Sequence, residues 1–141
     1  MIIKQLSVFL ENKSGRLTEV TETLASAKIN ISAFCVADSV DYGMLRFITN
    51  RPEEAVTVLK DKGFSVHLTD VIGLIVPHEP GSLHKALKVL SNEGISVEYM
   101  YAFSLGNRAA VIIRTDSSGQ ALAVLQKHDM DLIKASDIYD V

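Results

Sequence analysis

Two short turns contain the residues of this chain that are best suited to bind a small charged molecule. They are NKSG at 12–15 and HEPG at 78–81, and each comes directly before a helix-like stretch. A helix N-terminus presents unpaired N–H groups and a partial positive charge, so it can bind a carboxylate or a phosphate. Glycine leaves no side chain between that backbone and a ligand, although a tight turn alone also favours glycine. Polar Asn12, His78 and Glu79 precede the glycines and are suited to hold the amine or side chain of a zwitterion.

The other reactive residues form no pattern that is typical of catalysis or metal binding. His78 and His84 are six residues apart and fall on a turn and a helix, so they lack the i, i+4 spacing of a zinc-binding helix. The sequence contains no nucleophile elbow and no phosphate-binding P-loop. Cys35 lies in the apolar run ISAFCVA, which predicts a small buried hydrophobe rather than a nucleophile. We therefore expect no catalytic residue, no metal and no cofactor.

Composition and charge argue against several classes of partner. The 141 residues carry a net charge of −3, whereas nucleic-acid-binding proteins usually present a basic surface. No apolar run approaches the roughly 18 residues of a membrane span. The first residues, MIIKQLSVFLENK, lack the charged, apolar and small-residue regions of a signal peptide. The sequence therefore predicts a cytoplasmic protein that binds neither nucleic acid nor a membrane.

The chain repeats itself at a fixed distance, and a repeat of this kind decides the fold. The distance is the one that separates Gly15 from Gly81, and we call it the repeat shift. Its register holds without a gap through both halves of the chain. Further identical pairs at the repeat shift are Leu17 with Leu83, Leu24 with Leu90, Ile29 with Ile95, Thr49 with Thr115, Ala55 with Ala121, Val58 with Val124 and Leu59 with Leu125. We predict two copies of one unit, residues 1–69 and residues 70–141.

Each copy shows the order strand, helix, strand, strand, helix, strand. Short runs with β-branched residues predict the strands, and apolar residues three and four apart predict the helices. In copy one the predicted elements are strands 2–10, 29–37, 44–49 and 64–68, a helix after Gly15, a turn over 38–43 and a helix from Pro52 to Gly63. In copy two they are strands 71–76, 95–103, 109–115 and 132–135 and helices 81–92 and 117–128. This order is the ferredoxin-like βαββαβ motif of the α+β class, an antiparallel sheet with both helices on one face. A unit of about 70 residues has a marginal core, so we expect the two units to pair.

The two turns and the helices that follow them resemble the ACT domains, regulatory modules that bind amino acids. The resemblance rests on NKSGRLTEVTETLASAKINI in copy one and HEPGSLHKALKVLSNEGISV in copy two, and it extends over nearly the whole chain. The family implies domains that pair side by side and join their sheets, with an amino-acid effector at the interface, beside the turn and the start of the second strand. Carried over by position, it implies the ligand-binding residues Asn12, Gly15, Arg16 and Asn30 in copy one and His78, Gly81, Ser82 and Ser96 in copy two.

The two copies depart from the family's pattern at different places. Copy one has Ser14 where the family often has proline, and copy two has Ser96 where the second strand usually starts with asparagine. We therefore do not expect the two sites to be occupied equally.

The repeat and the resemblance together predict a regulatory sensor with no chemistry of its own. We expect a free amino acid as the effector, a metabolic enzyme or a transporter as the regulated partner, and a homodimer. The regulated partner is implied by the family alone. The alternative is a ligand-free interaction module whose glycine turns are purely structural and whose sheets form a dimer.

Two stretches outside the turns predict further surfaces. Tyr99, Tyr101 and Phe103 alternate along one strand and project from one face of the sheet, while Met100 projects from the other. Core packing explains one set, and for the other we favour packing between domains or chains over a ligand cage. The last segment, SDIYDV at 136–141, resembles the start of copy two and predicts an added edge strand, a contact with another chain or a flexible tail.

Overall fold

The structure is a computed structural model that describes residues 1–38 and 41–139. The elements in chain order are β1 (Ile3–Glu11), α1 (Arg16–Ser26), β2 (Ile31–Asp38), β3 (Tyr42–Thr49), α2 (Pro52–Asp61), β4 (Ser65–Pro77), α3 (Ser82–Asn92), β5 (Val97–Leu105), β6 (Arg108–Thr115), α4 (Ser118–Lys127), β7 (Asp131–Leu132) and α5 (Ala135–Tyr139). They form two compact units. The copy-one unit contains Lys4–Thr69 and the C-terminal residues from Ser136, and the copy-two unit contains Met1–Ile3 and Asp70–Ala135.

The sheet of the copy-one unit has the strand order β2-β3-β1-β4. Strands β1 and β2 each pair antiparallel with β3, with Leu6 opposite Phe47 and Val36 opposite Leu45. Because side chains alternate along a strand, every second residue of β1 faces the two helices. The resulting core consists of Leu6, Val8, Leu10, Val20, Leu24, Ile29, Leu45, Phe47, Ala55, Leu59, Phe64 and Val66.

The sheet of the copy-two unit has the same arrangement, with the strand order β7-β4-β6-β5. Its core contains Ile72, Leu74, Val76, Ala86, Leu90, Ile95, Val111, Ile113, Ala121 and Leu125. These are largely the residues that correspond to the core of copy one at the repeat shift. The two βαββαβ-like units with antiparallel strands confirm the predicted fold class.

The helices of copy two begin and end at the residues that the repeat shift predicts from the helices of copy one. Helix α1 starts at Arg16 and α3 at Ser82, while α2 starts at Pro52 and α4 at Ser118. The ends of each pair are separated by the repeat shift as well. Pro52 occupies the first turn of α2, where its missing N–H leaves no hydrogen bond unmade. Positions that correspond at the repeat shift are therefore structurally equivalent on these helices.

Two predicted strand boundaries differ from the structure. The strands predicted at 64–68 and 71–76 are one continuous strand, β4, which supplies the fourth strand of copy one with its first half and the first strand of copy two with its second half. No glycine or proline stands between the two runs to end the strand. The strand predicted at 132–135 is reduced to the two residues of β7, because the chain turns into a helix from Ala135.

The C-terminal segment is helical where an edge strand was one of our expectations. Helix α5 belongs to the copy-one unit from Ser136 onward, and residues 140–141 lie outside the described part of the chain. The Tyr139 hydroxyl accepts a hydrogen bond from the Lys4 backbone N–H at 2.8 Å. The Ser32 hydroxyl donates to the Ile138 carbonyl at 3.3 Å. These two bonds hold α5, which follows the last strand of copy two, against the copy-one unit.

The exposure of residues in β2 and β5 agrees only in part with the predictions from sequence. Cys35 is only half-buried, contrary to prediction, because β2 is the last strand of its sheet. Met100 packs against the copy-two core, as predicted for one set of alternating residues. Phe103 projects from the other face of the sheet than Met100. It lies opposite Ala110 of β6 and is 55% exposed. Its proposed packing against another domain or chain remains a prediction. Of the predicted turn over 38–43, residues 39–40 lie outside the described residues.

Candidate functional site

The turn between β1 and α1 is built from backbone hydrogen bonds. The N–H of Asn12 donates to the carbonyl of Asp41 at 3.1 Å, which joins the turn to the start of β3. The N–H of Arg16 donates to Lys13 at 3.3 Å, and that of Glu19 to Gly15 at 2.9 Å. The loop is thereby held against the sheet, and α1 starts in a fixed place.

The turn between β4 and α3 repeats these bonds at equivalent positions. The N–H of His78 donates to the Asn107 carbonyl at 2.8 Å, and that of Ser82 to Glu79 at 3.2 Å. The N–H of Lys85 donates to Gly81 at 3.0 Å. Each donor and acceptor corresponds to its counterpart in copy one at the repeat shift, so the two turns share one backbone geometry.

The backbone conformation at both turn positions favours glycine. Gly15 has φ 91° and Gly81 has φ 89°, in the left-handed region that other residues enter only with strain. Within the described residues, no atom beyond the adjacent residues lies within 4 Å of a Cβ built at either glycine, so the space beside them is open. In the same part of the chain, no side-chain hydrogen bond caps α1 or α3. The first N–H of each helix, at Arg16 or Ser82, is bonded within the turn, and the N–H groups that follow it are accessible to an acceptor from outside.

A cavity of about 360 Å³ lies at this turn in copy one. Its lining residues are Leu10, Glu11, Asn12, Lys13, Arg16, Leu17, Val36 and Gly43. Leu17 and Val36 are 40% and 44% exposed, so they give the cavity an accessible apolar side. Glu11, Lys13 and Arg16 give it charges of both signs. Such a lining is complementary to a zwitterion with an apolar side chain.

Arg16 is held in place by contacts on two sides. Its Nη1 donates to Oε2 of Glu19 at 2.9 Å, and its guanidinium carbon lies 4.7 Å from the centroid of the Phe64 ring. Its Nε is buried and has no hydrogen-bond partner within the described residues. Buried N–H donors are nearly always paired in folded proteins. The Nε–H group of Arg16 is thus an unpaired donor within the described residues, in a side chain that lines the cavity.

Glu11 and Lys13 form an exposed ion pair at the mouth of the cavity. Lys13 Nζ lies 2.8 Å from Oε2 of Glu11. The hydrogen bond and positive charge of Lys13, with a smaller contribution from Arg16, hold the pKa of Glu11 below its ordinary value of 4.5. Glu11 therefore stays negatively charged throughout the neutral and mildly acidic range and is suited to attract an ammonium group.

Asn30 and Ser96 lie away from the turns of their own units. Asn30 precedes β2, and its backbone N–H donates to Oδ1 of Asn50 at 3.2 Å. Ser96 occupies the equivalent place, with its N–H donating to Oδ1 of Asp116 at 3.3 Å. The eight residues of β2 separate Asn30 from the edge of the sheet that carries the turn, a distance of roughly 25 Å. Within one unit, the structure brings Asn12, Gly15 and Arg16 together and leaves Asn30 apart.

Copy two has the same turn geometry with different side chains. Glu11, Lys13 and Arg16 of copy one correspond by position to Pro77, Glu79 and Ser82, so the paired charges are absent. His78 and Gly81 keep their predicted places in the turn. The two sites are thus chemically unequal.

Several residues of the cavity were not predicted from the sequence. Glu11 and Lys13 flank Asn12 in the chain, so the sequence of the turn was sufficient to identify them as candidate lining residues. Val36 and Gly43 come from neighbouring strands, and only the pairing register brings them to α1. All four histidines are exposed. Within residues 1–38 and 41–139, no three His, Cys, Asp or Glu side chains converge as metal ligands. None of the helices in this part of the chain has the length and apolar character of a membrane span.

The family of the chain follows from its match to a family model. The model described as an ACT domain pair matches residues 1–141. This chain belongs to the ACT-domain family. An ACT domain pair is a regulatory module, and the chain is homologous to regulatory domains that bind amino acids.

Solved structures agree with this assignment. A protein from Bacteroides thetaiotaomicron shares 50% identity with this chain at a TM-score of 0.96, over 100% of this chain and 98% of its own. The regulatory subunit of aspartate kinase from Thermus thermophilus, in a ligand-free form, has 17% identity and a TM-score of 0.66, covering 88% of this ACT-domain chain and 90% of its own. The same subunit from Thermus flavus has 17% identity and a TM-score of 0.63 over the same shares. The two Thermus proteins show likeness of fold alone. A search of the curated proteins found no match.

Proposed function

We propose that this ACT-domain chain is a regulatory sensor that binds a free amino acid at the copy-one turn and catalyses no reaction. The observation that carries the proposal is the Nε of Arg16, buried and without a partner in the described structure, in a side chain that lines a cavity of about 360 Å³. A ligand carboxylate would accept a hydrogen bond from this donor.

The charges around the cavity support an amino acid rather than a simple anion. The α-carboxylate would lie between Arg16, Lys13 and the open N–H groups of α1. The α-ammonium group would lie beside Glu11, whose lowered pKa keeps it charged, with Asn12 as a further polar contact. The ligand side chain would lie toward the apolar side of the cavity.

The unequal side chains support copy one as the principal site. Copy two keeps the turn and the open helix N-terminus around His78, Gly81 and Ser82, but it has no arginine or lysine in the turn. A carboxylate would therefore be held there by backbone N–H groups and His78 alone. We propose weaker or no occupancy of that turn.

The family resemblance adds a placement of the ligand, which we also propose. In ACT proteins the effector lies at an interface between domains, beside the turn and the start of a second strand. Because Asn30 lies roughly 25 Å from its own turn, it could reach only a ligand held by a different unit. The same reasoning applies to Ser96, and both residues remain candidates on this basis.

The mechanism we propose is a shift between conformations. An effector that contacts one arrangement of the domains better than another favours that arrangement, and a regulated enzyme or transporter can respond to the difference. Such coupling is typically about 1–3 kcal/mol, which one or two charge-assisted hydrogen bonds can supply.

The experiment that tests the proposal is thermal melting of the protein with each of the twenty amino acids. A ligand that binds only the native state raises the midpoint by mass action. We expect a selective rise for one amino acid or a few related ones. The amide of the same amino acid, which lacks the carboxylate, should give no rise and serves as the matched control. A flat panel would contradict the sensor and support the ligand-free interaction module.

A further inference from the structure

The helices of the two copies carry opposite charge. Helices α1 and α2 contain Arg16 and Lys60 against five acidic residues, which gives them a net charge of −3. The acidic residues are Glu19, Glu22, Glu53, Glu54 and Asp61. Helices α3 and α4 contain three lysines and no acidic residue, a net charge of +3 with histidine neutral. The overall charge of −3 hides this separation.

The opposite charges stand at equivalent positions. Three acidic residues of copy one correspond at the repeat shift to three lysines of copy two. The pairs are Glu19 with Lys85, Glu22 with Lys88 and Asp61 with Lys127. Because the helices of the two copies begin and end at equivalent residues, each pair occupies the same place on the same backbone framework. The two copies therefore have equivalent helices that carry charges of opposite sign at three equivalent positions.

Three of the five acidic residues, Glu19, Glu22 and Asp61, line one groove. A cavity of about 450 Å³ between α1 and α2 is lined by Glu19, Glu22, Thr23, Ser26, Ala27, Val58, Asp61 and Lys62. Val58 packs against the copy-one core and forms an apolar floor with Ala27. We call this surface the acidic face. Glu19 shares its charge with Arg16, and Lys62 also lies at the rim, so Glu22 and Asp61 carry most of the uncompensated charge.

The equivalent surface of copy two has a net positive charge, because its three lysines outnumber Glu93, which stands where copy one has Ala27. Its residues are Lys85, Lys88, Val89, Asn92, Glu93, Val124, Lys127 and His128. We call it the basic face. Both valines are half-buried and pack against the copy-two core, and all three lysines are exposed. Within the described residues, none of these lysines forms a salt bridge, and neither does Glu22 or Asp61. An apolar centre with a charged rim is the usual composition of a protein interface.

We propose that the acidic face of one chain binds the basic face of a second copy of the same chain. The occupant follows from complementarity: charges of opposite sign have the same spacing on both faces, because both derive from one helix pair. Since the two faces are different surfaces, the contact is heterologous, and each chain offers one of each kind. Repeated use of both faces gives a closed ring or an open row of chains. This inference does not depend on amino-acid binding.

Charge reversal tests the proposal. The basic variant, Glu22→Lys with Asp61→Lys, gives a chain with two basic faces. The acidic variant, Lys88→Glu with Lys127→Glu, gives a chain with two acidic faces. The control, Glu53→Lys with Glu79→Lys, changes the net charge as much as the basic variant does, at exposed residues outside both faces. Sedimentation velocity at low and high salt measures the size of the assemblies, and circular dichroism verifies that every variant is folded.

We expect the wild-type protein and the control to assemble at low salt and to dissociate at high salt, because salt screens exposed charges. Each reversed variant alone should lose this assembly. An equimolar mixture of the two reversed variants should regain it, since a basic face again meets an acidic one. Wild-type protein that does not assemble at low salt, reversed variants that assemble like wild type, or a mixture that stays apart would overturn the proposal.

Discussion

The guanidinium carbon of Arg16 lies 4.7 Å from the centroid of the Phe64 ring, at the first residue of α1. Phe64 belongs to the core of the copy-one unit, so the position of Arg16 is fixed by packing beneath it. A cation over an aromatic face is attracted by the electrons of the ring. The core therefore presents Arg16 to the cavity in one orientation, which reduces the entropy lost when a carboxylate binds.

Arg16→Met is expected to weaken amino-acid binding by about 10- to 100-fold, because hydrogen bonds to charged groups are stronger than neutral ones. Methionine keeps apolar contact with Phe64 and removes the donors. Isothermal titration calorimetry with the amino acid found by melting measures the change. The matched control is Ser82→Ala at the equivalent position of copy two, which should leave that affinity unchanged. Equal affinities for wild type and Arg16→Met would rule out Arg16 as a ligand contact.

Gly15→Ala and Gly81→Ala are each expected to lower the free energy of unfolding by about 1–2 kcal/mol, because alanine at positive φ is strained. A Cβ at either position meets no atom of the described residues within 4 Å beyond its chain neighbours, so the expected loss comes from backbone strain. Gly119→Ala is the control. Gly119 lies in α4 at an ordinary φ with open space around it, so alanine should stabilise the helix by about 0.5–1 kcal/mol. Urea unfolding compares the three, and a neutral Gly15→Ala would contradict the prediction.

The sequence predicted those features that depend on local or periodic signals. The repeat shift located both turns, both helix pairs and the equivalence of Asn12 with His78. Gly15 and Pro52 marked helix starts because their backbone conformations restrict where they can stand. Both turn glycines and Arg16 were placed correctly at the start of a helix. These successes rest on conformational preferences that act within a few residues.

The remaining features depend on long-range pairing. Val36 reaches the cavity only because β2 pairs with β3 in one register, which periodicity does not specify. Asn30 was grouped with the turn through the family resemblance, although α1 carries the chain to the opposite edge of the sheet before β2 starts. The C-terminal helix belongs to the copy-one unit and is joined to it by a hydrogen bond between Tyr139 and Lys4, which are far apart in sequence. Contacts of this kind leave no trace in local composition.

Gly73→Ala is expected to destabilise the copy-two unit by about 1–3 kcal/mol, the usual effect of overpacking. A Cβ there would lie 3.0 Å from Cβ and Cδ1 of Ile133 and 3.1 Å from Cδ1 of Ile3. Ile133 cannot move away freely, because its N–H donates to the Gly73 carbonyl at 2.8 Å. Urea unfolding should show a lower midpoint. Gly73→Ala combined with Ile133→Val, which removes the Cδ1 atom, should recover part of the loss, and an unchanged midpoint for the single variant would contradict the packing.

Arg51→Ala is expected to lower the free energy of unfolding by about 1–2 kcal/mol, because hydrogen bonds to the carbonyls that directly follow a helix contribute moderately. Arg51 Nη2 donates to the carbonyls of Ala27, at 2.9 Å, and Lys28, while Nη1 contacts Glu54. Copy two has Ser117 at this position. Ser117→Ala keeps the hydrogen bond from its backbone N–H to the Thr115 hydroxyl and should change the unfolding free energy little. Equal effects of the two substitutions in urea unfolding would contradict the role assigned to Arg51.

Lys13→Met is expected to raise the pKa of Glu11 toward its ordinary value of 4.5, since Lys13 is the main cause of the lowering. A carboxylate with a lowered pKa favours the native state above that value, and this contribution disappears as the pH falls through the pKa of the folded protein. Arg16 is a smaller cause, so some lowering should persist in Lys13→Met. NMR titration of the Glu11 side-chain carboxyl carbon measures the pKa directly, and Lys28→Met, at a lysine outside the cavity lining, is the control. Identical titration curves for wild type and Lys13→Met would show that the ion pair is absent in solution. The electrostatic reason for placing a ligand ammonium group beside Glu11 would then be lost.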